Sequence, residues 1–472
     1  MRLIPAAGLL AGCALAVSSL PLSAQTLSEA MAAAYQNNPQ LQAERARQRA
    51  TDEDVSRAWG GYRPQVTVNA EKGRAQDKIR YPDPQSPTGS LKVGDYRSPD
   101  SEAVQLRQEI WDGQRTFADV QHSKMAVENG LAILRSVEQS VLGSVAQVYY
   151  DLYRDQHILA IQKEYVRSLE DEQKAVMARF KVKDVTQTDV AQAEARLARG
   201  IADQQQYAGN VEASKSAFLR ITGLPAGNMP PLPPLPTGLP EDFSDLMALV
   251  ENNPDYRAAV FAEKAAQADI TYAESGLLPD ISVQATSSRA NQNDTNRSTN
   301  FGNTVTLNLV MPLYDGGVAA ARTRAAKHTA GQRRLNVDQQ RDVVIDQIRQ
   351  AWESLKAVRA RAASLRETER AAGVALTGVQ QELHVGSRTI LDELNARQEI
   401  LDTQINLERA HHDEAIATYT LLIACGRATA DNLQLPVEAY DPREHYEGVN
   451  WLPWVPWIGT DYPEAVEAAK VK

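Results

Sequence analysis

The chain repeats itself, and the repeat constrains the fold more than any other feature. The segment NNPQLQAERARQRATDEDVSRAWGGYRPQVTVNA at 37–70 aligns with NNPDYRAAVFAEKAAQADITYAESGLLPDISVQA at 252–285, a shift of 215 residues. Asn-Asn-Pro, Pro64 with Pro279, Val66 with Ile281 and Val68 with Val283 coincide. From IWDG at 110–113 against LYDG at 313–316 the shift becomes 203, and it holds without a gap to 221–223 against 424–426. The 12-residue difference (215 − 203) falls between 70 and 110, where the first half carries the longer loop. The expected organisation is a first repeat at 25–223, a Pro-rich linker at 224–241, a second repeat of the same architecture at 242–430, and a tail at 431–472 that packs near the equator.

Each repeat spells the same series of elements. A helix follows Asn-Asn-Pro and ends at a proline. An alternating strand comes next, with Val66, Val68 and Ala70 on one face and Gln65, Thr67 and Asn69 on the other. A polar, turn-rich loop follows, over 72–103 in the first repeat and 286–303 in the second, and a second alternating strand returns through Val305, Leu307 and Leu309. Proline is then absent from Asp100 to Leu224 and from Leu313 to Leu435. Val141, Val145, Val148 and Leu152 fall at helical spacing there, and Val344, Ile348, Ala351 and Leu355 occupy the equivalent positions. Such spacing predicts a closely packed coiled-coil seam. One helix running from Asp112 to Phe180 would be about 100 Å long.

Both long helices are expected to turn back at the same place. KVKDVTQTDVAQA at 181–193 and HVGSRTILDELNA at 384–396 share Val182/Val385, Thr186/Thr389, Asp189/Asp392 and Ala193/Ala396. Gly386 and Ser387 break the second helix and Thr389 caps its return. Lys183-Asp184 turns the first, with Thr186 or Thr188 as the cap.

The N-terminus reads as a secretory signal: Met1-Arg2, an apolar run, and a small-residue end near Ala24. The rival reading is a lipobox, LAGC, that would leave Cys13 as a lipid-bearing terminus. After this segment no stretch approaches the roughly 18–20 apolar residues of a membrane-spanning helix. A net charge of −10 argues against nucleic acid as a partner. The seven histidines lack metal-ligand spacing, and neither a nucleophile elbow nor a phosphate-cradling glycine loop occurs. The sequence therefore predicts no enzyme, no metal and no cofactor. Trp451, Trp454 and Trp457 crowd the tail, either as a strap on the helical body or as an interfacial anchor.

Four strands with one apolar face cannot close a barrel, and an open edge in lipid leaves backbone groups unpaired at several kcal/mol each. Chains must pool their strands. Two would give eight, a barrel filled by its own side chains; three give twelve, enough for a lumen.

With the Asn-Asn-Pro starts, two hairpins, two proline-free helical pairs and two matched tips, the chain resembles the TolC family of outer-membrane export ducts. The tip VGSRTILDELNA at 385–396 is similar to that family's entrance motif. The resemblance implies an α+β membrane protein, a homotrimer whose twelve-stranded β-barrel is continued by an α-helical coiled-coil barrel across the periplasm. It implies residence in the outer membrane of a Gram-negative bacterium, contact with outer-membrane lipid, and export of proteins or small molecules. The implied partners are a periplasmic adaptor and an inner-membrane transporter, driven by ATP or protons. Carried onto this sequence, Arg388 and Asp189 take part in holding the entrance shut, and Asp392 belongs to a carboxylate ring that favours cations. Asn395 stands where a second ring aspartate is expected, and Leu383 where a tyrosine of the restraint is expected. The implied adaptor-contact tips are Val182 and Lys183 in the first repeat and Val385, Gly386 and Ser387 in the second. The alternative from another class is a soluble periplasmic coiled-coil adaptor or scaffold, which would not need lipid-compatible hairpins.

Overall fold

Proline-free sequence becomes uninterrupted helix. A computed structural model describes residues 26–82, 85, 90–227, 235–236, 242–292 and 298–449. In chain order they form α1 (Leu27–Asn37), α2 (Pro39–Trp59), β1 (Gln65–Lys72), β2 (Ala75–Pro82), β3 (Ser90–Arg97), β4 (Asp100–Trp111), α3 (Arg115–Lys181) and α4 (Gln187–Thr222). The second repeat gives α5 (Phe243–Met247), α6 (Pro254–Ser275), β5 (Asp280–Asn291), β6 (Thr299–Val310), α7 (Val318–His384) and α8 (Ile390–Ala424), followed by α9 (Glu444–Val449). Residues 1–24, expected as a signal segment and including Cys13, most of the Pro-rich linker and the three tail tryptophans lie outside the described residues.

The repeated Asn-Asn-Pro has a local cause. Asn38 Oδ1 caps α2 by accepting from the Gln40 and Leu41 amides at 2.9 and 3.4 Å. Asn253 does the same for α6 through the Asp255 and Tyr256 amides at 2.9 and 3.2 Å. Proline follows at the first helical position, where a missing N–H costs nothing. Each asparagine also donates to the end of a returning helix: Asn38 Nδ2 to the Ile221 carbonyl at 3.3 Å, and Asn253 Nδ2 to the Ala424 carbonyl at 2.9 Å. These joints set α2 at the end of α4 and α6 at the end of α8. They mark the level midway along the molecule.

The long helices α3 and α7 have 67 residues each, about 100 Å of helix. Helix α3 packs against α2 and α6 along its first half and against α4 and α8 along its second. Helix α7 packs chiefly against α6 and α8. The expected seam holds: Val145, Leu152, Val344 and Ile348 have no exposed surface, and Val141, Ala351 and Leu355 are buried. The principal core lies at the asparagine joints, where Tyr149, Tyr150, Phe218 and Tyr419 cluster with Met31 and Leu41. Cys425 is fully buried in the neighbouring cluster, and burial pushes its thiol up to about 11.

The sheet has the order β1-β4-β5-β6, antiparallel throughout. Its register aligns side chains by chemistry. Val66, Leu106, Ala285 and Val305 stand opposite one another in one row, and Thr67, Gln105, Thr286 and Thr304 in the next. Successive residues face opposite sides, so one face is apolar and the other polar. Val66, Val68, Val305, Leu307 and Leu309 are all more than 60 % exposed.

The segments 72–103 and 286–303, expected as loops, are largely strand. The first hairpin extends past the sheet as the separate pair β2–β3, and β4 already starts at Asp100. In the second, β5 continues to Asn291 and β6 resumes at Thr299. These polar stretches lack the apolar–polar alternation that reveals half-buried strands, so composition masked them.

Candidate functional site: the paired helical tips

At the far end of the helices, each hairpin turns within a few residues by one backbone device. In the second repeat Gly386, at φ +79°, donates to the Leu383 carbonyl at 3.0 Å and Ser387 to the Glu382 carbonyl at 2.9 Å. In the first, Lys183 at φ +63° donates to Phe180 at 2.9 Å and Asp184 to Arg179 at 3.0 Å. Both are left-handed C-terminal turns of the kind glycine favours. Lys183 adopts the conformation with a Cβ, which costs roughly 1 kcal/mol. Lys183→Gly should therefore steady the first tip: hydrogen exchange of the amides of residues 184–190 is expected to slow about fivefold, with the second tip unchanged.

The polar residues shared by the tips are capping boxes. Thr186 Oγ1 accepts from the Asp189 amide at 3.3 Å, while the Asp189 carboxylate accepts from the Thr186 amide at 2.8 Å. Thr389 and Asp392 repeat this at 3.2 and 3.0 Å. Thr186, not Thr188, is the cap. The reciprocal bonds satisfy two amides that a helix start would leave unpaired. Hydrogen bonds from the threonine backbone, then from the threonine hydroxyl, hold both carboxyls below the usual aspartate range. Both stay ionised in water at lower pH than a free aspartate does.

Around these caps the two hairpins of one chain pack through Leu169, Val176, Val190, Ile390 and Leu394. Leu383 is half-buried against that cluster, so the position expected to carry a hydrogen-bonding tyrosine here anchors the hairpin by apolar contact. Asn395 accepts from Arg196 Nη2 across the hairpins at 2.8 Å. Arg388 pairs through Nε with Glu382 of its own hairpin at 2.8 Å. Among the described residues Asp189 and Arg388 form no ion pair with each other within the chain. Two features carry no advance signal in the sequence. Glu393 is only 5 % exposed and holds Arg397 at 2.7 Å and Gln380 at 3.2 Å. Tyr165 donates to Gln398 at 2.9 Å between hairpins.

At the apex the side chains stand free. Val182 is 75 % exposed and Val385 77 %, two apolar residues at the same place in both repeats with nothing among the described residues of this chain to cover them. Lys183, Gly386 and Ser387 are exposed beside them. Among the described residues there is no cluster of potential metal ligands and no helix long and apolar enough to cross a membrane. The apolar surface that suits lipid is that of the sheet.

Comparison with known proteins agrees with this architecture. The sequence profile described as "Outer membrane efflux protein" matches residues 30–224 and 246–427, one block per repeat. The chain is similar to the outer membrane efflux protein BepC of Brucella suis, 34 % identical over 455 residues and 95 % of each chain. It is similar to the outer membrane protein TolC of Vibrio cholerae, 23 % identical over 434 residues, 90 % of this chain and 95 % of that one. In fold it resembles the CmeC outer membrane channel of Campylobacter jejuni, with a TM-score of 0.73 at 16 % identity over 90 % of this chain and 89 % of that one. These likenesses favour the export duct over the soluble adaptor. The chain belongs to the outer membrane efflux protein family, and it is an outer-membrane export channel of Gram-negative type with a long periplasmic helical part, not an enzyme.

Proposed function

We propose that three copies close one duct, whose tips form the gated entrance and dock a periplasmic adaptor served by an inner-membrane transporter. One observation carries the assembly: the repeat is symmetric in sequence, but its burial is not. Helices α3 and α7 are equivalent and equally long, yet α3 has 24 buried residues and α7 nine. Leu335 and Val374 on α7 are 69 % and 65 % exposed, and Ile201 and Leu219 on α4 are 42 % and 49 % exposed. Those are the outer flanks of the helical layer, so the α7 of one copy fits the α2 and α4 of the next. The sheet agrees. Its open edges, β1 and β6, run in opposite directions, so β6 of one copy can pair antiparallel with β1 of another and leave no edge in lipid. Such a head-to-tail contact closes as a ring, and twelve strands leave a lumen lined by the polar face. Strands of 12 residues in β4, β5 and β6, tilted as in barrels, span about 30 Å. The paired ends Lys72–Asp100 and Asn291–Thr299 lie away from the helices and face the cell exterior.

The exposed Val182 and Val385 supply the apolar part of the adaptor contact, with Lys183, Gly386 and Ser387 around them. The exported cargo is a protein or a small molecule small enough for the lumen. In mild detergent the full chain should run as a single trimer by native mass spectrometry, and an adaptor should copurify with it. A stably inserted monomer would overturn the assembly. Retention of the adaptor by a Val182→Asp, Val385→Asp variant would overturn the docking site.

A further inference from the structure

A cavity of about 600 Å³ lies between the wall helices α2, α3 and α6 and the segment that follows α8. Its most unusual wall residue is Arg45, which is 7 % exposed. The guanidinium packs on two tyrosine rings, 4.5 Å from the Tyr35 centroid and 4.6 Å from that of Tyr440. The Tyr440 amide donates to the Tyr35 hydroxyl at 3.1 Å and locks the two rings beside it. Among the described residues Arg45 makes no hydrogen bond and no ion pair. A guanidinium has five N–H donors, and Arg45 lines the cavity, so its donors are open to whatever occupies that space.

We propose that this cavity is an oxyanion-binding site, taking a carboxylate or phosphate group on the edge of Arg45. With two aromatic rings packed against the guanidinium carbon, its N–H edge is the part left for a ligand in the cavity. Along that edge the N–H fork matches two oxygens of one oxyanion. Arg135 and Arg257 line the same cavity and form no ion pair among the described residues. The acids of the lining are Glu128, Glu138, Asp431 and Asp441; Glu128 is held by Arg443 at 2.9 Å, and half-buried Glu138 accepts from the Ala430 amide at 2.7 Å, with burial raising its pKa. Neither Glu128 nor Glu138 forms an ion pair with Arg45, Arg135 or Arg257 among the described residues. The site is also particular to one repeat: at the shift of 215, Arg45 corresponds to Val260. A duct of three copies would hold three such sites at mid-height, each tying the segment after α8 to the wall.

The test is isothermal titration calorimetry on the full-length protein in detergent, with three probes. These are inorganic phosphate, an N-acetylated dipeptide with a free carboxylate, and the same dipeptide amidated. Binding of phosphate or of the acid in the millimolar range or tighter, but not of the amide, is expected. Phosphate alone would assign a free anion, and the acid alone a peptide carboxylate. Arg45→Gln should weaken binding about tenfold, the scale of one lost charge-assisted pair. Because Arg45 also supports the tyrosine stack, Arg257→Gln, at a half-exposed position, is the second variant, and it should weaken binding severalfold in a fully assembled protein. No heat from phosphate or acid, equal binding of the amide, or unchanged affinity in Arg257→Gln would each overturn the proposal.

Discussion

Val305→Arg should abolish assembly of the duct while leaving the helical pairs able to fold. Val305 lies near the middle of β6 (Thr299–Val310), in a row with Val66, Leu106 and Ala285. It is 75 % exposed, so the substitution creates no clash in the isolated chain. In the bilayer that face meets hydrocarbon near its midplane, where an arginine on a barrel costs about 2–4 kcal/mol. Symmetry places the same charge three times at one depth, giving about 6–12 kcal/mol per duct. That equals the whole stability of many domains. The polar face supplies the control: Thr304→Arg, one residue away in the row with Thr286 and Gln105, should be tolerated because it points into water. Quantifying trimer in outer-membrane fractions by gel mobility of unheated samples checks both. Loss of trimer in Thr304→Arg but not in Val305→Arg would mean that the faces are assigned the wrong way round, and equal yields would remove the distinction between them.

How much of this was legible in the sequence differs from element to element. The duplication exposed the helical pairs, because two copies of a pattern cancel chance and proline-free runs have few other uses. The capping residues were legible at the tips, since Thr-x-x-Asp before an apolar run carries its mechanism in its spacing. The ends of the strands were not legible. Segment 90–97 folds as β3 and 299–303 as the start of β6, yet the clear period of two appears only lower down, through Val305, Leu307 and Leu309. The helix joints were half legible. Asn-Asn-Pro announced a helix start, but nothing local says that Asn38 and Asn253 also grip Ile221 and Ala424, partners more than 170 residues away in sequence.

The least legible feature is a buried polar line on α2. Arg45, Gln48 and Asp52 are 7 %, 2 % and 0 % exposed, although on a helical wheel they read as a solvated face. The chain after α8 returns to cover them: Tyr440 stacks on Arg45 and His445 meets Asp52 at 3.2 Å. Burial opposes the charge on Asp52 and raises its pKa despite His445 and Gln48. Their counterparts on α6 are Val260, Glu263 and Gln267, so the repeat alone gave no hint of a line meant for burial. At the tips the opposite happened. Leu383 looked like a lost hydrogen bond and proves to be an apolar anchor, because its neighbours Ile390 and Leu394 arrive from the returning helix.

Opening the entrance should depend on which carboxylate holds Arg388. In one chain the guanidinium rests on Glu382, with both side chains about half exposed at 50 % and 51 %. The Asp189 carboxylate is already engaged by the Thr186 amide and hydroxyl, each at 2.8 Å, but a carboxylate has about four acceptor positions and can take Arg388 as well. If neighbouring hairpins latch through Asp189 and Arg388, Glu382 competes with the latch. Removing Glu382 then favours closure and removing Arg388 favours opening. Arg388→Ser should raise single-channel conductance in planar bilayers severalfold, and Asp189→Asn should follow it while largely keeping the helix cap. Glu382→Gln should lower conductance, an outcome that general loosening of the tip would not produce. Asp392 separates from this pair by its readout. In Asp392→Asn the side-chain amide oxygen still accepts from the Thr389 amide, so the cap survives. That variant should reduce cation selectivity with conductance little changed. Because hydrogen bonds from Thr389 hold the Asp392 carboxyl low, wild-type selectivity should persist as pH falls past about 4, the ordinary aspartate range, and fade only below it. The cap's share of tip stability follows the same sign, present above the unfolded pKa and lost as pH drops through the lowered folded one. Conductance equal to wild type in Arg388→Ser, or a rise in Glu382→Gln, would remove the latch; selectivity lost already near pH 5 would remove the ring.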